Sequence, residues 1–517
     1  MSLDPSGSPL SSCRPSCCGC GVTRRDLLKT GGLLATGLAL SGLAWPALKA
    51  AAEEAAASAG PPPRAPLVVK PVFLYSTPKR RAQGSWRNWG GIETPEQAAE
   101  ETARITKELD KIRAAADFPV TFLPVAGAKS AAEASAIADL ATADAFIVYA
   151  AGGGQDAFAP VVKTGKPVIF FLRHRSGPVY LWYEIISPRY LHQHTDSNGV
   201  PGVDQRDVVV DSLDDLAWRL RALGGLKNTV GSRILTIGGA AGWSCKQAPD
   251  LARDRFKLDI QNLSYEDLGK LIAAAREDKS SVALAAERAG KYLKDWGVKL
   301  ETDRTFVERG FLLEQVIRGA MARAGTRVMT INMCMGTIMK VAETTACLPL
   351  SLLNDAGYLA FCESDFVVVP SGILLGNISG RPQFLNDPTY PHAGVITLAH
   401  CTAPRRMDGR RLDDARILTH FESDYGAAPK VEMRKGQRVT NIIPDFAAAR
   451  WVGLAGEIVE APFLPICRSQ IEVEYKVDDL KVAQNMPGFH WMTCYGDYTR
   501  EIGYALKRTA VGWEFLG

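Results

Sequence analysis

An excess of either charge is missing from this sequence: 60 Lys and Arg face 56 Asp and Glu across 517 residues, leaving a net +4. No stripe of Lys and Arg with interleaved aromatic residues occurs, which excludes the usual electrostatic footprint of nucleic-acid binding. Phosphate-loop spacing is missing too. The Gly clusters "AAGGGQDAF" and "IGGAAGWS" follow apolar runs but match neither G-x-G-x-x-G nor the Walker pattern, so they read as tight turns after strands. Cysteine is too sparse for a disulfide framework. Of the 11, four (Cys13, Cys17, Cys18 and Cys20) crowd the N-terminus as "CRPSCCGC", with no second ligand pair at zinc-finger spacing. The other seven, Cys245, Cys334, Cys347, Cys362, Cys401, Cys467 and Cys494, are odd in number and scattered, several within apolar runs, and read as buried thiols. There is no internal repeat, and no low-complexity segment beyond the leader.

What is present begins with that leader. "TRRDLLK" (Thr23 to Lys29) precedes the apolar "TGGLLATGLALSGLAW" and an Ala-rich stretch with a small-x-small exit at Ala57-Ser58-Ala59. The order resembles a twin-arginine export signal, which implies passage through the Tat translocase and a periplasmic or otherwise extracytoplasmic location. A retained membrane anchor is the alternative, although the run is Gly-rich and short of the roughly 20 residues of a comfortable span. Residues 1–59 are therefore set aside as signal and cleavage region, and 60–66, "GPPPRAP", as a linker.

Beyond the linker the expected fold class is α/β: two Rossmann-like open parallel-sheet units, then a C-terminal α+β unit with an antiparallel sheet or small barrel. The first unit, 67–185, alternates buried strands such as "LVVKPVFLY" and "PVIFFLRH" with the amphipathic helix "PEQAAEETARITKELDKIRAAA". The second, 186–326, opens near "DVVVDS" and carries long helices, and a cleft is expected between the two. The third, 327–517, starts at "RVMTINM" and from about residue 393 turns into short period-two runs: "GVITLAHC", "ARILTHFES", "KVEMRK", "QRVTNIIP", "WVGLAGEIVE" and "QIEVEYKV".

The third unit holds the chemistry-bearing residues. Glu363 follows "LAFC", Asp387 follows "PQFLN", His400 ends "GVITLA" and His490 lies in "MPGFHWMTCYGD". Ends of strands are where α/β proteins gather ligands, and carboxylates with imidazoles suit a borderline-hard divalent ion, manganese (Mn2+) foremost, with Mg2+, Co2+ or Fe2+ as others. Each residue alone has a plainer reading. Asp387 before Pro388 starts a turn, Asp365 or Ser364 caps the next helix, and a His among aromatics is a satisfied core side chain. His420 and Glu422 in "THFESDYG", two residues apart, suggest one strand face, either binding a second metal or sugar hydroxyls or simply solvated. Arg468 and Gln470 in "PICRSQIEVEYKV" suit either substrate hydroxyls or structural pairing.

Three strings, "CESD" with its following apolar helix, "SGRPQFLND" and "GFHWMTCYGDYTREI", make residues 327–510 similar to the C-terminal half of the fucose isomerase and arabinose isomerase family. The resemblance implies a metal-dependent aldose–ketose isomerase with Glu363, Asp387 and His490 as ligands, and a homo-oligomer with sites near subunit interfaces. His400, in "LAHC", resembles a site-lining residue of shorter relatives. Moving a proton between adjacent carbons requires an enediolate stabilised by the ion and two carboxylates as acid and base, the part expected of Glu363 and Asp387. The substrate expected is a carbohydrate. A binding protein without catalysis, or a metal-dependent epimerase or lyase on the same scaffold, remain the alternatives.

Overall fold

Apolar strands without alternation are stable only when covered on both faces, and the first described region obeys that rule. The computed structural model describes residues 44–47, 49–50, 60–87, 89–182, 186, 188–191, 201–294 and 297–517. The twin-arginine segment and the Ala57-Ser58-Ala59 site lie outside them. Of the residues assigned to the leader, Trp45 is buried and its indole Nε1 donates to Asp278 at 3.4 Å, so this stretch packs on the body. No described helix is long and apolar enough to cross a membrane.

Strands β1 (Leu67–Leu74), β2 (Val120–Phe122), β3 (Ala126–Ala128), β4 (Ala145–Ala150), β5 (Val168–Leu172) and β6 (Val208–Val210) form one parallel sheet in the order β2-β1-β4-β5-β6, with β3 also on β1. Helix α1 (Pro95–Ala115) starts at a capping box between Thr94 and Gln97 and buries Ala98, Ile105, Leu109 and Ile112. Helix α2 (Leu213–Thr229) covers the same core. A second parallel sheet joins β7 (Arg233–Ile237), β8 (Asp259–Leu263), β10 (Val328–Ile331) and β11 (Leu359–Phe361) in the order β11-β10-β7-β8. Helices α3 (Tyr265–Glu277), α4 (Lys279–Lys294), α5 (Arg304–Ala324) and α6 (Cys347–Asp355) connect or cover it. Helix α5 is capped by Asp303, which accepts from Thr305 N, and ends at Gly325 with φ +64°.

Helix α7 (Val369–Ser379) then runs fully buried into the third region. There β12 (Phe384–Pro388), β13 (Val395–His400), β16 (Arg438–Pro444), β17 (Arg450–Glu460), β18 (Ser469–Glu474) and β19 (Trp491–Tyr495) form an antiparallel barrel of six strands, closed by the pairing of β16 with β17. Helix α8 (Thr499–Leu506) and β20 (Gly512–Phe515), which lies parallel on β17, end the chain. Strands β14 (Ala415–His420) and β15 (Tyr425–Val431) make a small separate sheet with β9 (Val298–Leu300).

The fold class is thus as expected, with the small barrel in place of an open antiparallel sheet. The sheets do not break where the unit boundaries were drawn. Val208–Val210, expected to open the second unit, pairs with β5, and Val328–Ile331 and Leu359–Phe361, expected in the third, pair in the second sheet. A parallel sheet adds strands by helical crossovers on either side, so a strand that joins late in the chain carries no mark of a new unit.

Candidate metal and active site

In the second sheet the chain runs from β7 outward to β8, then returns to β10 on the other side of β7. Such a reversal opens a crevice beyond the carboxyl ends of the strands. A cavity of about 400 Å³ lies there, lined by Trp243 from the loop after β7, Asn332 to Gly336 after β10, and Cys362 and Glu363 after β11. The other wall comes from the barrel: Asp387, His400, Cys401, Phe489 and His490. The cavity lies between the second sheet and the barrel.

Local backbone explains how each side chain arrives. Glu363 and Ser364 both adopt left-handed φ, +69° and +49°, which L-residues with a Cβ rarely do unless held. They are held: Ser364 N donates to Thr330 Oγ1 at 3.1 Å, Ala241 N to Ser364 O at 3.2 Å and Phe366 N to Ala241 O at 2.9 Å. This turn directs Glu363 out of the sheet. In the barrel, β12 lies between β13 and β19, with Asp387 paired to Ala399 and Asn386 to Trp491. His490 is one step before Trp491 and so faces Asp387 across the strand pair.

His490 is the centre of the arrangement. Its Nε2 lies 3.3 Å from Glu363 Oε2 and 3.2 Å from Asp387 Oδ1, and its Nδ1 is 2.7 Å from Asp365 Oδ2. A buried carboxylate can only accept here, so Nδ1 carries the hydrogen and Nε2 faces the two acids; a carboxylate behind the ring in this way is the usual support of a metal-ligating imidazole. His400 Nε2 lies 3.4 Å from Glu363 Oε1, and its Nδ1 is 3.0 Å from Thr402 Oγ1. Burial alone would lower the His490 pKa, but Asp365, Asp387 and Glu363 outweigh it and push the ring up to about 11. Burial would raise Glu363, yet His400 and His490 hold its carboxyl well below the usual range. His420 is driven the other way, to about 4, by burial and then by His400 and Arg468, and stays neutral.

The donor set can be tested against a divalent cation. Glu363 Oε2 is buried and faces the His490 ring at 3.3 Å without the alignment of a hydrogen bond, an acceptor with capacity left for a partner. Three carboxylates converge on the imidazoles, so with neutral rings the pocket carries negative charge that a cation would balance. The tightest cluster is not the set the resemblance implies: Cys362, Glu363 and His400 offer ligand atoms within 4.8 Å of one another, with Asp387 and His490 adjoining. The hydrogen bond to Cys334, then burial, raise the Cys362 thiol well above its ordinary value, and a protonated thiol is a poor ligand. The oxygen and nitrogen donors of Glu363, Asp387, His490 and His400 are the better fit to a borderline-hard ion.

The remaining candidates separate. His420 and Glu422 both line the cavity, but only His420 ends a strand; Glu422 sits in the following turn, so they do not share a strand face. Arg468 and Gln470 do not line it. Arg468 Nε donates to Thr419 O in β14 at 2.7 Å, and Gln470 bonds the backbone of Leu464 and Cys467, which commits both to structural pairing. Two features escaped sequence reasoning. Asp365 does not cap the following helix, which has no side-chain cap; one oxygen accepts from Val367 N in the turn before it, and the other holds His490. Five thiols, Cys334, Cys347, Cys362, Cys401 and Cys467, line one cavity although scattered in sequence. The only signal was that "INMCM" and "FCESD" both follow strands. No family model matches the chain, and no curated protein matches it either.

Proposed function

We propose that the protein is a metal-dependent ketol isomerase acting on a carbohydrate, with Glu363, Asp387 and His490 as ligands and Glu363 and Asp387 also as the acid/base pair. The observation that carries this reading is the His490 ring, seated between the two acids on one nitrogen and anchored by Asp365 on the other. When bound, a divalent ion, manganese foremost, supplies Lewis acidity toward the two oxygens of the sugar that exchange roles. Glu363, kept ionised by its histidines, accepts a proton from carbon without first having to lose one. Asp387, with 43% of its side chain exposed, is the more accessible acid and is suited to shuttling the proton between oxygens. His400 orients Glu363, and the neutral His420 offers a hydrogen bond to a substrate hydroxyl. The leader read in residues 1–59 assigns the substrate to the space outside the cytoplasmic membrane.

The test is product analysis by NMR in D₂O with a panel of aldoses and added Mn2+. An isomerase yields the ketose, an epimerase inverts one centre, and a binding protein exchanges nothing. Glu363→Gln should keep the fold and lose about 10²- to 10⁴-fold in turnover. Wild-type rates in that variant, or a purified protein that holds no stoichiometric ion and is indifferent to EDTA, would end the assignment.

A further inference from the structure

The two parallel strands β10 and β11 pair Thr330 with Phe361, so the turns that leave them run side by side. Cys334 begins a π-helical turn over Cys334–Ile338, just after Met333 in a left-handed conformation (φ +50°), and Cys362 is the first residue after β11. Their sulfurs are 3.3 Å apart. Both line the cavity, Cys334 partly exposed and Cys362 buried behind it. Contact at that distance needs only a closure of about 1.2 Å to reach the roughly 2.05 Å of a disulfide.

We propose that Cys334 and Cys362 are a reversible dithiol–disulfide pair, oxidised by small dialkyl disulfides that enter through the cavity, and that closing the bond displaces Glu363. The second half of this proposal rests on the metal reading above; the first does not. The Cys334 sulfur attacks one sulfur of the dialkyl disulfide, whose S–S bond breaks and releases one thiolate. The Cys362 sulfur, whose hydrogen-bonding partner thiol no longer exists once Cys334 is in the mixed disulfide, then attacks Cys334 and releases the second thiolate. Two protein thiols become one disulfide, the reagent becomes two thiols, and the two protons lost by the cysteines go to the leaving groups. Cys362 directly precedes Glu363, whose left-handed turn is tied to Thr330 and Ala241, so drawing Cys362 toward Cys334 shifts the carboxylate from its place between His400 and His490.

The experiment treats the folded, reduced full chain with cystamine, blocks residual thiols with N-ethylmaleimide and maps peptides by mass spectrometry. The expected result is a Cys334–Cys362 linkage with two thiols consumed, reversed by dithiothreitol and still formed in Cys401→Ser. A stable cystamine adduct on Cys334 without resolution by Cys362, or a Cys401–Cys467 linkage in its place, overturns the pair. The linkage is read in the wild-type chain and so does not depend on any variant folding. Mn2+ affinity is then compared between the linked and reduced forms, with at least a tenfold weakening expected on linkage. Equal affinity in the two forms overturns the displacement of Glu363. Should neither form retain Mn2+ while the linkage appears, the metal reading fails and the dithiol pair stands.

Discussion

The two parallel sheets reverse direction in the same way, yet their carboxyl ends have opposite characters. In the first sheet the reversal lies between β1 and β4, and the chain fills it: a Cβ on Gly152 would lie 3.1 Å from Ser76 N. The charged residue leaving β5, Arg173, is fully buried and spent on Glu101 at 2.5 Å and Glu108 at 2.7 Å, with Tyr180 Oη donating to Glu101 at 2.8 Å. In the second sheet the equivalent place stays open, and its acid, Glu363, keeps an oxygen without a hydrogen bond. The same position is thus structural when its polar groups satisfy one another, and available for chemistry when one is left over.

Breaking the first half of the comparison should cost the most. Arg173→Met removes the buried guanidinium from Glu101 and Glu108, leaving Glu101 to Arg104 and Tyr180, and should destabilise the protein by about 3 kcal/mol in denaturant unfolding, with Mn2+ affinity of the folded fraction unchanged. The second half is sharpened by Asp365→Asn, which leaves the ring in place but weakens its support. Metal affinity should fall about 10- to 100-fold by calorimetry, with the thermal midpoint of the metal-free protein moving far less than in Arg173→Met. The last effect, read per pH unit, is in pH. Burial opposes the charge on His490, but its three carboxylates hold the ring at about 11, so an ion at Nε2 must displace a proton. Mn2+ binding should therefore tighten by about tenfold per pH unit between about pH 6 and 8. For the metal-free protein the sign is reversed. The imidazolium contributes its full stability below the ordinary histidine range and loses it as pH rises toward 11, which thermal unfolding with EDTA present would record.

Much of the architecture was legible because each element follows a local rule. The amphipathic period of α1, the buried runs of β1, β4 and β5, and five of the six short period-two runs after residue 393 appear where their patterns lie; "KVEMRK" keeps only Lys430 and Val431 in a strand, β15, which lies mostly before it. Sheet membership was not legible, because β6, β10 and β11 join sheets begun far earlier and nothing in a short apolar run names its neighbour. Glu363, Asp387, His400 and His490 share one cavity, as the likeness to a family suggested; their spacing alone left plainer readings open. Asp365 was read only as a cap, since a carboxylate's second oxygen leaves no trace in sequence. Arg468 is held by the backbone of strand β14 and Gln470 by that of an irregular loop, tertiary contacts that pattern reading does not reach.

Helix α7 separates the turn bearing Glu363 from the strand bearing Asp387, and every one of its 11 residues is buried. Its partner α2 approaches so closely at Gly225 that a Cβ there would meet Ile378. The rod therefore acts as a caliper set by residue count: one added residue would advance its far end by about 1.5 Å and turn it by roughly 100°. Volume-conserving apolar exchanges along it should cost little, whereas a single-codon insertion or deletion would swing Asp387 off His490.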